Sequence, residues 1–410
     1  MVKLMRGATI GHGRRAVAVA ASAALGILAG ATLSACGGGG SAGANAAPAA
    51  AELSPAAALG EQIFRDRSLS ASGQQSCASC HDPALGHSPT NDFAAQFGGG
   101  DLSLQGTRKA PGIRYLAANT PFFFAADGTP TGGLFWDGRA RDFAEQATEP
   151  FLNPFEMANA DKAAVVAKVA MAPYAADFRR LYGDAVFADV EGAYLRIALA
   201  VQQYEREDVD FNAYSSKYDA VLRGQATLTD AELRGLALYN SPTKGNCAAC
   251  HPSSRGADGT PPLFTDFSYD SLGVPRNPEL GRNADPAYFD LGLCQRADLP
   301  DRSDLCGAFK VPSLRNVALR KAFFHNGRFK TLKDALTFYV QRDTNPEKFY
   351  PTAPDGSVRK FDDLPPALQG NVNTSEAPYD RQRGDVPALS DAEIDDVIAF
   401  LRTLTDGYVR

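Results

Sequence analysis

Two short segments of this chain, Cys77-Ala78-Ser79-Cys80-His81 and Cys247-Ala248-Ala249-Cys250-His251, share one pattern: two cysteines around two small residues, with a histidine directly after. At that spacing two thiols capture the vinyl groups of a haem while the adjacent imidazole reaches its iron. Two copies imply two c-type haems, which constrains the fold more than any periodicity does, because each segment has to border a cavity that admits a porphyrin. The competing reading, a pair of redox dithiols, requires a thioredoxin-like strand-to-helix turn, and neither copy sits on one.

The N-terminus reads as an address rather than as fold. Lys3, Arg6, Arg14 and Arg15 precede an apolar stretch of small residues that ends in Leu33-Ser34-Ala35-Cys36, which resembles the lipobox of bacterial lipoproteins. Residues 1–35 are therefore expected to be a lipoprotein signal peptide, with Cys36 lipidated; the alternative is plain cleavage near Ala47 or Ala50. Residues 36–52, rich in glycine and alanine, are expected to be a flexible tether. The protein should be periplasmic and touch a membrane only through its lipid anchor. Gly39 to Gly43 match a hydrolase serine pattern, but without the strand and helix that would strain the serine into position.

The 410 residues carry 41 basic and 47 acidic side chains, a net charge of −6. That balance gives no basic footprint for nucleic acid. Cys294 and Cys306 remain once the haem cysteines and Cys36 are assigned, and in an oxidising compartment they are expected to form a local disulfide.

An internal repeat supports two modules. Ser54-Pro55 opens a helical pattern through Leu59, Gly60, Ile63 and Phe64 before the first haem motif; Thr229 and Glu232 form a capping box before Gly235, Leu236 and Tyr239 ahead of the second. Each copy places an aromatic residue four positions after a glycine. Ser390 and Glu393 cap a third helix, carrying Ile394, Val397, Ile398 and Leu401 on one face, and Tyr194, Ile197, Ala198, Val201 and Tyr204 form another apolar stripe. The predicted fold is mainly α: two cytochrome c-like domains, 53–225 and 226–410, each binding one covalently attached haem, with long loops.

From residue 53 to about residue 406 the chain resembles the bacterial dihaem cytochrome c peroxidases and their relative MauG. The resemblance is carried by Phe135-Trp136-Asp137-Gly138-Arg139, by Glu145-Gln146-Ala147 and by Asn153-Pro154-Phe155-Glu156-Met157. It continues through Val311-Pro312-Ser313-Leu314-Arg315-Asn316, Phe324-His325-Asn326-Gly327 and Thr331-Leu332. It implies a peroxidatic haem in the N-terminal domain and an electron-transfer haem in the C-terminal one, with Glu156 moving the proton and Gln146 positioning peroxide. Trp136, the single tryptophan, becomes the relay between the haems. His81 and His251 become the proximal iron ligands. The distal methionine of the peroxidases falls eight residues after Thr331, where this chain has Tyr339, so Tyr339 is expected to ligate the second iron as in MauG. His325 is the competing ligand. The blocking histidine of many peroxidases falls at Phe97; His87 is too close to His81 to take that role and is read as a polar loop residue or a haem-propionate partner.

The resemblance further implies calcium between the domains, held by an asparagine and backbone carbonyls. Tyr115 stands at the asparagine's offset and the carbonyls of Arg320 and Ala322 remain, so calcium is left open. Two activities follow. One is reduction of hydrogen peroxide to water with electrons from a small donor protein, a cytochrome c or a cupredoxin. The other is a MauG-like oxidation of a residue on a partner protein, using a bis-ferryl state shared by both haems. A mere electron carrier would need no proton-handling pair such as Gln146 and Glu156.

Overall fold

Short helices joined by long loops make up residues 52–409, the part of the chain that the computed structural model describes. The expected signal peptide, Cys36, the serine pattern and nearly all of the tether lie outside the described residues. The helices are α1 (Pro55–Arg65), α2 (Cys77–Cys80), α3 (Phe143–Leu152), α4 (Lys162–Met171), α5 (Ala175–Tyr182), α6 (Val190–Glu207), α7 (Lys217–Leu222), α8 (Asp230–Asn240), α9 (Leu332–Gln341) and α10 (Asp391–Arg402). The named strands are two residues long and pair as antiparallel ribbons: β1 (Phe97–Gly98) with β2 (Leu104–Gln105), β3 (Phe123–Phe124) with β4 (Pro130–Thr131), and β5 (Tyr269–Asp270) with β6 (Phe309–Lys310). None of the described helices is long and apolar enough to cross a membrane.

Local chemistry sets where the helices begin. Ser54 accepts from the Ala57 amide at the head of α1, and complete capping boxes start α8 (Thr229 with Glu232) and α10 (Ser390 with Glu393). Such caps contribute about 1 kcal/mol each. Packing does the rest, because helices this short are marginal alone.

Two hydrophobic cores form. The first gathers Leu59, Ile63 and Phe64 of α1, Ala147 and Phe151 of α3, and the stripe Tyr194, Ile197, Ala198, Val201 and Tyr204 of α6. The second gathers Tyr239 of α8, Leu336 and Val340 of α9, and Ile394, Val397, Phe400 and Leu401 of α10. It reaches back before residue 226 to include Tyr218, whose amide donates to the Thr403 carbonyl and whose hydroxyl donates to Ser253. Next to it Asp219 takes both arms of the Arg315 guanidinium at 2.9 Å, with both side chains fully buried. Removing one partner of such a pair strands a buried charge. This is why α7 is anchored to the later part of the chain. Cys294 and Cys306 are disulfide-bonded, and Cys294 packs against a small cluster that includes Tyr269, Leu293, Leu299 and Leu305.

The glycine of the internal repeat marks where helices touch backbone to backbone. A Cβ on Gly60 would lie 1.9 Å from the Ala200 carbonyl oxygen of α6, and one on Gly235 would lie 2.0 Å from the Asp396 carbonyl oxygen of α10. One turn later Phe64 and Tyr239 are fully buried. Gly60→Ala and Gly235→Ala should each force the helices apart and cost about 1–3 kcal/mol or more. The check is a lowered urea midpoint at unchanged slope; an unmoved midpoint would mean that the crossing is looser than the structure has it.

Candidate active site

The two CxxCH segments border two cavities. The first, with a volume of about 470 Å³, is lined by Cys77, Cys80, His81, Trp136, Gln146, Glu156 and Glu205, among others. The second, with a volume of about 190 Å³, is lined by Cys247, Cys250, His251, Trp136, His325, Tyr339 and Tyr379, among others. Lys109, Trp136 and Lys310 border both, so they form a shared wall.

The donor set fits a haem in each cavity. Cys77, Cys80, Cys247 and Cys250 are unpaired although Cys294 and Cys306 are bridged. Burial pushes their thiols up, to about 11 at Cys80 and about 12 at the other three. Nδ1 of His81 lies 3.4 Å from the His87 carbonyl oxygen, and Nδ1 of His251 lies 2.8 Å from that of Phe264. A ring nitrogen that donates to a carbonyl fixes the tautomer and leaves Nε2 free to ligate. Burial pulls His81 down to about 4 and lowers His251 as well, so both imidazoles are neutral, as metal ligands must be.

Trp136 stands on a braced turn. Its Nε1 donates to the Lys109 carbonyl at 2.7 Å, and its own carbonyl accepts from the Lys310 amide at 2.8 Å. Asp137 is held by Arg108 and Arg139, and the Arg139 guanidinium lies over the Phe135 ring at 3.7 Å. These contacts fix the indole where the two cavities meet.

Gln146 projects from α3, whose Ala144, Ala147 and Phe151 pack in the first core. Glu156 follows in the turn after that helix. Its amide donates to Asn153, its carbonyl accepts from Gly99, and a Cβ on Gly98 would clash with its backbone at 2.6 Å, so β1 lies directly against it. Asn153 Nδ2 donates to Glu156 Oε1 at 2.8 Å. Burial raises the carboxyl above its ordinary range, and Arg139 and Asn153 oppose that rise. Gln146 and Glu156 thus border the same cavity as His81.

Tyr339 projects from α9 into the second cavity, with ring centroids of Phe324 and Tyr379 at 5.4 and 6.1 Å. Burial, then Cys250 and Asp270, push its phenol up. His325 borders the same cavity but is stacked flat on Phe309 at 3.5 Å, with Nε2 3.7 Å from Asp363. His87 is a loop residue, as expected, but it is buried and borders neither cavity, which places it away from a haem propionate. Its backbone is left-handed (φ 53°) and its ring is buried against Phe211 at 4.1 Å. Nδ1 accepts from Arg114 at 3.0 Å, and burial followed by the charge of Arg114 pulls the ring down to about 3. What His87 offers the site is its carbonyl.

Sequence reasoning missed four ionisable groups. Glu205 of α6 borders the first cavity and is raised to about 8 by burial. Its signal was available, since 201, 204 and 205 continue the apolar stripe and place a carboxyl on a buried face. Lys109, Lys310 and Arg320 border the cavities with no such signal.

A model of the family "Di-haem cytochrome c peroxidase" matches residues 54–227. The methylamine utilization protein MauG of Paracoccus denitrificans (strain Pd 1222) is 36% identical over 360 residues, 85% of this chain and 88% of that protein. Cytochrome c551 peroxidase of Nitrosomonas europaea is 31% identical over 287 residues, 68% of this chain and 71% of that one. Among solved structures, the diheme peroxidase BthA from Burkholderia thailandensis E264 superposes with a TM-score of 0.80 at 40% identity, covering 87% of each chain.

Proposed function

This chain belongs to the family of dihaem cytochrome c peroxidases and MauG, and from that premise we propose how its residues divide the reduction of hydrogen peroxide to water. Residues 53–225 and 226–410 act as two cytochrome c-like domains, with α7 of the first packed on the core of the second. Each domain carries one haem attached through Cys77 and Cys80 or through Cys247 and Cys250. His81 and His251 would ligate the two irons, and Tyr339 would also ligate the iron held in the C-terminal domain. Bound haem supplies a redox-active iron whose potential is set by axial ligand and burial.

The observation that carries this reading is the convergence of Glu156, Gln146 and His81 on one buried cavity, with Trp136 in its wall. Gln146 orients peroxide by hydrogen bonding. Glu156 takes the proton from one peroxide oxygen and returns it to the other, a task suited to a carboxyl whose burial lifts it toward working pH. Trp136 relays electrons across the wall. A tyrosine ligand favours the higher oxidation states of iron, where a thioether raises the potential. Electrons come from a small donor protein, a cytochrome c or a cupredoxin. The protein is exported to the periplasm and held by a lipid at Cys36. Oxidation of a residue on a partner protein through Trp136 is the alternative; relatives named for both activities accord with it equally.

Three outcomes test the assignment. Glu156→Gln should slow peroxide turnover by about 10² to 10⁴-fold at unchanged haem content; undiminished turnover would remove Glu156 from the mechanism. Cys77→Ser combined with Cys80→Ser should leave one covalently bound haem in place of two in a pyridine haemochrome assay, and two would sink the attachment scheme. Among the described residues, His81 is the lone histidine bordering the first cavity. Fully oxidised protein should therefore react with peroxide in a stopped-flow mixer without prior reduction, and a requirement for reduction would show that another group closes the site.

A further inference from the structure

Lys109, Lys310 and Arg320 meet at the wall between the cavities. Both lysines border both cavities, and Arg320 borders the second. Gly112, which also borders both, lies against Arg320: a Cβ there would sit 3.5 Å from its Nη2. Lys109 is 4% and Lys310 8% exposed. None of the three forms an ion pair among the described residues. Lys310 Nζ donates to the Gly133 carbonyl at 2.6 Å and Arg320 Nη2 to the Ser313 carbonyl at 2.6 Å, while Arg320 Nε is buried with no partner. Of the carboxylates that border these cavities, Asp137 and Asp290 are both held by Arg108 at 2.6 Å, and Asp137 by Arg139 as well.

Buried cations without counter-ions are costly. The cost shows in Lys109, drawn down to about 8 by burial and then by the charge of Arg320, and in Lys310, drawn down to about 7 by burial. A cluster in that condition is complementary to anions. A divalent cation placed there would meet like charges. Tyr115, at the position where the resemblance calls for an asparagine ligand, turns its hydroxyl to Asp406 at 2.6 Å and borders neither cavity.

We propose that Lys109, Lys310 and Arg320 form a fixed cationic site that receives the propionate carboxylates of the two haems and takes the place of the calcium ion that the family resemblance implies. This rests on the two-haem reading above. The positive charge between the haems is then supplied by the chain itself, independently of metal supply.

The test uses the holoprotein matured in calcium-replete medium and desalted. Calcium is counted by mass spectrometry against haem counted by pyridine haemochrome, and optical and EPR spectra are followed through addition of EGTA and then of calcium chloride. The expected result is two haems, no stoichiometric calcium and unchanged spectra. Stoichiometric calcium, with spectra that change on chelation and recover on re-addition, would overturn the proposal. A haem count below two would overturn the two-haem reading instead, and is read independently of calcium. Arg320→Gln and Lys109→Met should each shift the reduction potential of at least one haem downward, because removing positive charge favours the ferric state. Unmoved potentials in both variants would overturn the cationic-site assignment even in calcium-free protein.

Discussion

Backbone contact between helices organises this protein. The helix before each haem motif has no side chain at its point of closest approach, at Gly60 against Ala200 and at Gly235 against Asp396. One turn later an aromatic ring is buried, and in the second copy that ring reaches on to the haem motif: Tyr239 donates to the His251 carbonyl at 2.6 Å. The crossing therefore fixes the height of a helix and, through it, the position of the imidazole at the edge of its cavity. Each core borders a cavity, so a group filling that cavity contributes to folding as well as to chemistry, by linkage.

Carboxyls raised by burial border both cavities, Glu156 and Glu205 the first and Asp270 the second, while the unpaired cations gather at the wall between them. Trp136 is bound on both sides by the backbone of that same wall, through the Lys109 carbonyl and the Lys310 amide. The residues that set the local potential thus also hold the indole. A positive charge on the indole would be opposed by both lysines unless anions offset them.

What the sequence made legible was local. The cap residues, the haem motifs, the Gly-aromatic repeat and the Cys294–Cys306 pair each lie within a short stretch, and the structure places each as its spacing suggests. Trp136, Gln146, Glu156 and Tyr339 were found through motif resemblance, and each borders a cavity. The failures are long-range. Lys109 and Lys310 lie some two hundred residues apart in sequence, and nothing near either one tells it from a solvated surface lysine. His87 was judged by its side chain, but its part in the site comes from its carbonyl, set by a left-handed backbone that the residue name does not announce. The seam between the cores lies before α7 because of the buried Arg315–Asp219 pair, a contact across ninety-six positions that no composition shift reveals.

As an iron ligand, a tyrosine at position 339 would differ from a methionine in more than its donor atom. A methionine has three side-chain torsions and adapts to its surroundings, while a tyrosine has two and is held by ring packing. Here Phe324 and Phe338 lie on one side of the Tyr339 ring, at 5.4 and 6.3 Å, and Tyr379 at 6.1 Å. Ala335 and Leu336, on the preceding turn of α9, border the same cavity and belong to the second core. The phenol ring is thus held by packing at the wall of the cavity. A ligand that is both harder than a thioether and fixed in place suits an iron that holds oxidising equivalents more than one that cycles rapidly between ferric and ferrous. In this chain, the choice of residue and the aromatic cage around it argue in the same direction.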